Sequence, residues 1–428
     1  MPTPTPDHGP PAGLTVDDDT PVGQRPSAPT GRPREELSLP GVLTGAALVV
    51  AAFGLLAAGM TSLGSRLSGT EYTAWLPTVA TDTVARAQWV LGDMTEPQFY
   101  KSWIASLGLL CGAALAWWAG SRGRRWAGLP ISYGSGSWPW LVGASTLSLL
   151  LSNLAYGWWL EEGWQPTFVP FVCVAAATVL VYGRGWPVLL TGAVLGALTT
   201  TPVAMLLIAT VTGPLELPAV VANTLAMSIG TAVSFLVIRR LPWMRLPALV
   251  PDTPAAPQPP ARTTTGQPTF GKDVVWSARR VVADFSETQF FANELASIGV
   301  VLGAVAAFLV SPLFPAYGTG LLPHILLAQA LTSAVGVVVW RSLYRGGGWA
   351  PTYVSLVSVA PATVLAHDGS WGSIVYGAVA GALLCPVIAR PISARLPADF
   401  HPFIGNTLSM AVSTTVVLTV VGVLPGVG

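Results

Sequence analysis

Residues Trp164 to Gly183 read WQPTFVPFVCVAAATVLVYG, and residues Trp349 to Asp368 read WAPTYVSLVSVAPATVLAHD, in agreement at 11 of 20 positions without a gap. Shared apolar composition alone would not keep Trp-x-Pro-Thr and Ala-Thr-Val-Leu together. The likeness extends to both sides. Thr95 to Trp118 matches Ser286 to Leu309 at 9 of 24 positions, and Asn223 to Val237 matches Asn406 to Val420 at 7 of 15. The blocks keep their order, so the chain contains an internal repeat, and that repeat decides how the rest is read.

The surrounding composition is that of a membrane protein. Of 428 residues, 52% are hydrophobic and only 10% charged, against about a quarter charged in soluble domains. The mean hydropathy is +0.59. The 45 Gly and 38 Pro also fit, because membrane helices tolerate both residues better than soluble ones do. A net charge of +1 gives no field for steering nucleic acid, and that class is set aside. Cys111, Cys173 and Cys385 are too few and too scattered for a disulfide framework or a thiolate metal site. No metal and no cofactor is expected.

Windows of about 20 apolar residues place eleven spans near 41–62, 97–119, 138–160, 167–183, 187–211, 218–238, 289–311, 321–341, 352–366, 371–389 and 402–425. The ninth and tenth are short enough for one of them to be tilted, broken or partly re-entrant. The fold class is thus an all-α polytopic membrane protein. Residues 1–39 are polar and Pro-rich and read as a disordered cytoplasmic tail, not a secretory signal, since the first apolar run starts near Pro40. Residues 40–63 form an accessory helix, 83–240 repeat A, 241–271 a Pro-rich cytoplasmic linker and 272–428 repeat B.

With the N-terminus in the cytoplasm, 18 of the 21 basic residues fall in cytoplasmic loops, and Arg66, Arg86 and Lys101 fall outside. Basic residues collect on the cytoplasmic side of bilayers. An odd number of spans then puts the C-terminus outside a cell (plasma) membrane. Five spans per repeat also force opposite orientations on the two copies, and the loop charges, counted without the repeat, put the Trp164 and Trp349 loops on opposite sides.

In this architecture the chain resembles the broad class of five-plus-five inverted-repeat membrane transporters, which includes facilitators such as urea and ammonium channels. The resemblance implies a substrate site near the bilayer midplane where the repeats meet, often at discontinuous helices.

The fourth helix of each repeat is the expected broken helix. Gly192 and Gly196 lead into Thr199, Thr200, Thr201 and Pro202, while Gly377 and Gly381 lead into Cys385 and Pro386. Proline frees a backbone carbonyl, and with the threonine hydroxyls these groups suit a polar solute; an ordinary proline kink is the alternative. The repeat-related Thr178 and Thr363, Asn223 and Asn406, together with the unmatched Asn153, complete the candidate substrate-binding set. Asn153 aligns with Val338. Their plainer reading is as helix caps and hydroxyls bonded back to their own helices.

Ionisable residues inside spans are functional candidates by default. Glu294 and His324 are the candidates for coupling to a proton or sodium ion. Thr95 to Gln98 and Ser286 to Gln289 read as capping boxes at helix mouths, preceded by short interfacial helices near Val84–Leu91 and Val274–Ala283. Trp158, Trp159, Glu161, Glu162 and Trp164 read as an aromatic belt or as an acidic, aromatic mouth. No catalytic pair is visible, so an enzyme acting on a lipid-linked substrate is the weakest reading. The expected function is transport of a small neutral or weakly polar solute by alternating access. A non-transporting scaffold or subunit of an envelope complex is the alternative. The expected partners are the lipid bilayer, the solute, a coupling proton or sodium ion, and a second copy of the chain.

Overall fold

The computed structural model describes residues 37–246 and 270–427. The expected tail, save its last residues, and most of the expected linker lie outside the described residues. Among the described residues the chain is helical, without a strand. In chain order the helices are α1 (Leu39–Gly64), α2 (Thr83–Asp93), α3 (Trp103–Ser121), α4 (Trp138–Tyr156), α5 (Val174–Tyr182), α6 (Trp186–Leu207) and α7 (Ala219–Ile238). They continue as α8 (Phe270–Ala283), α9 (Glu294–Val310), α10 (Leu322–Val339), α11 (Val359–Ala366), α12 (Trp371–Arg395) and α13 (Phe403–Val421). Seven stretches are long and apolar enough to cross a membrane: α1, α3, α6 with the turn that follows it, α7, α10, α12 and α13. Exposed Leu55, Leu198, Leu206 and Leu302 supply apolar surface suited to lipid. The chain is a multi-pass membrane protein.

The expected count of eleven is not reached, for physical reasons. Residues Phe270–Gln289 and Glu294–Val310 form one bent pair, turned by 78°, which makes an eighth crossing if taken as a single span. Helix α4 is long enough, but three serines, a threonine and an asparagine dilute its apolar character. The stretches near 167–183 and 352–366 are each split into a short turn, Val169–Val172 or Tyr353–Leu356, and a helix of two turns.

That split corrects the expected place of the broken helix. Helix α6 runs unbroken through Pro202 and ends in a π-turn over Ile208–Thr212, while α12 continues through both Pro386 and Pro391. The interruptions fall one helix earlier, at Cys173 (φ −139°, ψ −102°) and its repeat equivalent Ser358 (φ −143°, ψ −85°).

The two stretches of chain also share unusual backbone. Phe99 and Phe290, Lys101 and Ala292, Ser132 and Ala316, and Tyr133 and Tyr317 are pairs of equivalent non-glycine residues with positive φ. Such residues cost about 1–2 kcal/mol each and persist where their surroundings fix them.

Helices α3 and α9 make the closest crossing. A Cβ added at Gly108 would strike the Gly299 carbonyl oxygen, and one added at Gly299 would strike that of Gly108. Gly112 lies in the same way against Leu295, and Gly303 against Ile104. Small residues permit such approach where lipid supplies no hydrophobic drive between helices. Helix α1 packs on α8 and α10, with Gly45 against the Val274 carbonyl and Phe53 stacked on Phe285 at 5.0 Å between ring centroids. Gly108→Val is expected to destabilise the protein by about 1–3 kcal/mol, seen as a lower melting temperature in detergent, whereas Gly54→Val, at a position with nothing nearby, leaves it unchanged.

Candidate functional site

Each bend after a short amphipathic helix brings chemistry-bearing residues inward. Helix α2 starts at Asp82, whose carboxylate accepts the Val84 N–H at 2.8 Å, and ends at Asp93. A tight turn over Glu96–Gln98 follows, then left-handed Phe99 and Lys101, and then α3. The second copy runs from α8 through Asp284–Gln289 to left-handed Phe290 and α9. The N-caps of α3 and α9 are Ser102 and Asn293. Thr95 and Ser286 instead bond the carbonyls of those two residues, at 3.0 and 3.1 Å. The capping-box reading of Thr95–Gln98 and Ser286–Gln289 is therefore corrected: the acidic and amide side chains of both motifs are turned to the protein interior.

The first bend holds a buried charge cluster. The Lys101 ammonium pairs with Asp93 and lies 2.7 Å from Glu96 Oε2, stacked 3.4 Å from the centroid of the Trp89 ring. Asp93 also accepts from Thr167 at 2.8 Å and from Asn153 at 3.0 Å. Glu96 Oε1 accepts the Trp164 indole N–H at 2.7 Å and the Tyr317 hydroxyl at 2.9 Å. In the second bend Asp284 and Glu287 occupy the positions equivalent to Asp93 and Glu96, and both pair with Arg280. Glu287 accepts the Trp349 indole N–H at 2.5 Å, and Asp284 accepts the Ser333 hydroxyl at 2.5 Å.

The cation is supplied from different positions. Lys101 aligns with Ala292, whereas Arg280 aligns with Trp89. Both arrangements place one base against two carboxylates, which accounts for the loss of lysine in the second copy.

Between the clusters two amides meet. Gln98 Nε2 donates to Gln289 Oε1 and Gln289 Nε2 to Gln98 Oε1, both at 2.8 Å; each also reaches a backbone carbonyl of the opposite bend, Phe285 at 2.9 Å and Met94 at 3.0 Å. Gln329 braces this floor by donating to the carbonyls of Gln98 and Leu356 and accepting from the Tyr100 hydroxyl.

Two cavities are lined in part by the sequence neighbours of this pair. The first, about 330 Å³, is walled by Tyr72, Phe99, Trp164, Phe168 and Tyr317, with Glu96, Asn223 and Thr288 among its lining. The second, about 870 Å³, is walled by Tyr133, Phe290, Tyr344, Trp349 and Tyr353, with Arg280, His401 and Asn406 among its lining. Phe99 and Phe290, Trp164 and Trp349, Phe168 and Tyr353, and Asn223 and Asn406 are repeat equivalents. Thr288 lines the first cavity and Phe290 the second, on either side of Gln289 in the sequence, while neither glutamine lines either cavity.

Of the expected site residues, Asn223 and Asn406 line these cavities and are not helix caps, since α7 and α13 begin at Ala219 and Phe403. The Asn223 side-chain oxygen is buried without a partner, whereas Asn406 donates to the Tyr353 hydroxyl at 3.1 Å. Asn153 belongs to the first charge cluster. The threonines lie elsewhere. Thr178, Thr199 and Thr200 donate to carbonyls four residues earlier, as does Thr363, and Thr201 meets Ser152. Thr178 and Thr363 pack against Gly192 and Gly377 of the next helix. Pro202 and Pro386 line neither cavity. Glu294 pairs with Arg279 at 2.5 Å beside Leu129, and His324 lies against Gly369. Trp164 takes its place at Glu96 and not in a surface belt.

The sequence places Lys101 about one turn inside its span and puts Glu96, Gln98 and Gln289 in apparent capping boxes, so their meeting with Asp93 and with the Arg280 cluster is not apparent from it. A usable signal was present: Asp-x-x-Glu-x-Gln-Phe occurs at both Asp93–Phe99 and Asp284–Phe290. No family model matches the chain, and no curated protein matches it.

Two predictions follow from this geometry. Lys101→Ala leaves two buried carboxylates without their base and is expected to cost about 3–5 kcal/mol. Adding Trp89→Arg, the arrangement of the second copy, should recover at least half of the lost thermal stability; a double variant less stable than Lys101→Ala contradicts the equivalence. His401, in the loop before α13, accepts the Phe403 N–H, and desolvation lowers its pKa from 6.5 to about 4. A base with a depressed folded pKa contributes fully above pH 6.5 and loses that contribution as pH falls toward 4. Stability should therefore drop by about 2 kcal/mol over that range, and His401→Gln should flatten the profile when followed by denaturant melts.

Proposed function

We propose that the protein is a membrane transporter or facilitator of a small neutral or weakly polar solute, working by alternating access between two inverted five-helix repeats. The observation that carries this reading is the pair of cavities lined by repeat-equivalent residues, which include the sequence neighbours of the bridged Gln98 and Gln289. A scaffold has no use for two aromatic vestibules lined by equivalent residues of two repeats. The inverted relation is supported by reciprocal contacts: Gly108 meets Gly299, Gln98 meets Gln289, and each bend receives an amide from the other. Interfaces in which i meets j and j meets i follow from two-fold symmetry.

The distribution of basic residues favours a cytoplasmic N-terminus, the first cavity toward the outside and the second toward the cytoplasm of a plasma membrane. In this reading a solute enters an aromatic vestibule, meets Asn223 or Asn406, and passes when the two glutamines part. The repeats then rock about the α3–α9 crossing, because glycine backbones in contact make a hinge surface without interlocking side chains.

Reconstituted protein should raise the flux of at least one solute in a panel of small neutral molecules measured by light scattering of liposomes. Asn223→Ala and Gln289→Ala should each change that flux about tenfold, equivalent to about 1.4 kcal/mol in the barrier, with little change in melting temperature for Asn223→Ala. Inactivity across the panel, together with a stable co-purifying partner, would favour the scaffold reading instead.

A further inference from the structure

The two charge clusters have the same imbalance. Asp93, Glu96 and Lys101 sum to one excess negative charge, as do Asp284, Glu287 and Arg280, and all six side chains are buried. Burying an uncompensated charge in low dielectric costs several kcal/mol. A site that keeps this excess is ready to accept a cation.

Only one cluster turns a carboxylate to a cavity. Glu96 lines the first cavity, with Lys101 behind it; in the second cluster Arg280 lines the cavity and Glu287 does not. The shift of the base from the position of Lys101 to that of Trp89 has this consequence, because it exchanges which charge faces the opening. The first cavity also holds two polar groups that are buried and unpartnered, the Asn223 side-chain oxygen and the Tyr72 hydroxyl. These are independent of the carboxylates and mark the cavity as built for a hydrogen-bonding occupant.

We propose that Glu96 is a proton-binding site that exchanges with the first cavity and supplies the coupling ion of the transport reading above. The identity of the cation follows from the donors around Glu96. A hard metal ion needs a cage of oxygen ligands with free lone pairs, whereas the Glu96 oxygens meet the Trp164 N–H, the Tyr317 O–H and the Lys101 ammonium. A proton needs only one acceptor. In the uptake step a hydronium ion in the cavity transfers its proton to Glu96 and leaves water. The new carboxyl O–H donates to the Tyr317 oxygen, and the Tyr317 hydroxyl hydrogen rotates away from Glu96. Release reverses these steps.

The titratable and charged groups facing Glu96 are Asp93 from α2, Lys101 from the turn before α3, Tyr72 from the segment before α2 and Tyr317 from the turn before α10. Asp93 accepts from Lys101, Thr167 and Asn153 and lines neither cavity. Glu96 is the cluster member with access to the cavity. Ionisation of Glu96 and Asp93 together opposes proton loss, while Lys101 favours it, so removal of Lys101 must raise the proton affinity.

The test is a pH titration of the full-length protein in lipid, with the protonated-carboxyl stretch followed by infrared difference spectroscopy; the proton itself is the probe. The wild type should show a titrating carboxyl band that Glu96→Gln lacks. Trp164→Phe, which removes one donor to the carboxylate, should move the midpoint up by about one pH unit, a tenfold change in proton affinity, and Lys101→Met should move it further. Retention of the band in Glu96→Gln, or an unmoved midpoint in Trp164→Phe, overturns the proposal; so does displacement of the band by sodium at fixed pH, the mark of a metal-cation site. If Glu96→Gln does not fold, the Trp164→Phe midpoint decides. The titration needs no solute, so its failure and a failed flux assay are separate results. Where flux is found, an inward proton gradient should accelerate it in wild type and not in Glu96→Gln.

Discussion

The approach of α3 to α9 is the constraint on which the rest of the structure depends. Two helices can touch backbone to backbone where one of them carries only hydrogen in place of a side chain, and Gly108, Gly112, Gly299 and Gly303 provide four such positions in one crossing. This contact sets the distance between the bends at the helix mouths. At that distance the side chains of Gln98 and Gln289 reach each other and the opposite backbone, and every hydrogen bond they make is matched by its counterpart. A side chain larger than hydrogen at the crossing would separate the bends and leave the amides without partners in a region where water does not replace them.

The same requirement explains the charge clusters. Bends with left-handed residues expose backbone and place acids at their apices, and buried acids need donors. The first copy satisfies them with Lys101, Trp164 and Tyr317, and the second with Arg280 and Trp349. Because the base arrives from opposite walls, equal charge is kept while the cavity faces differ: a carboxylate on one side and a guanidinium on the other. The two copies thus differ in which charge faces the cavity while they share left-handed residues at equivalent positions.

Much of the architecture was legible. Apolar windows locate the long helices, and the repeated Trp-x-Pro-Thr block identifies segments that prove to be structurally special, with indoles on Glu96 and Glu287. Proline was the misleading signal. Pro202 and Pro386 sit in continuous helices whose hydroxyl and carbonyl groups are satisfied locally, as the Thr199 and Thr200 bonds illustrate. The real breaks fall at Cys173 and Ser358, residues that are themselves neither glycine nor proline, with Pro170 and Pro361 three residues away. Asn223 and Asn406 were recognised because they recur. Lys101 was legible as an ionisable residue about one turn inside its span, but its pairing was not: its equivalent is Ala292, and a base that moves from one position to another cannot be found by aligning positions. The Gln98–Gln289 bridge joins residues 191 apart in sequence and becomes visible only in three dimensions.

In the proposed transport reading the two cavities open to opposite sides of the membrane, and that claim joins the repeat to the charge distribution. Single cysteines at Asn223 and Asn406, in protein with Cys111, Cys173 and Cys385 replaced by alanine, can be labelled with a membrane-impermeant maleimide in sealed vesicles of known orientation. Labelling of Asn223→Cys only from the outside and of Asn406→Cys only from the cytoplasmic side is expected. Labelling of both from the same side would contradict the inverted arrangement and, with it, alternating access between these two cavities.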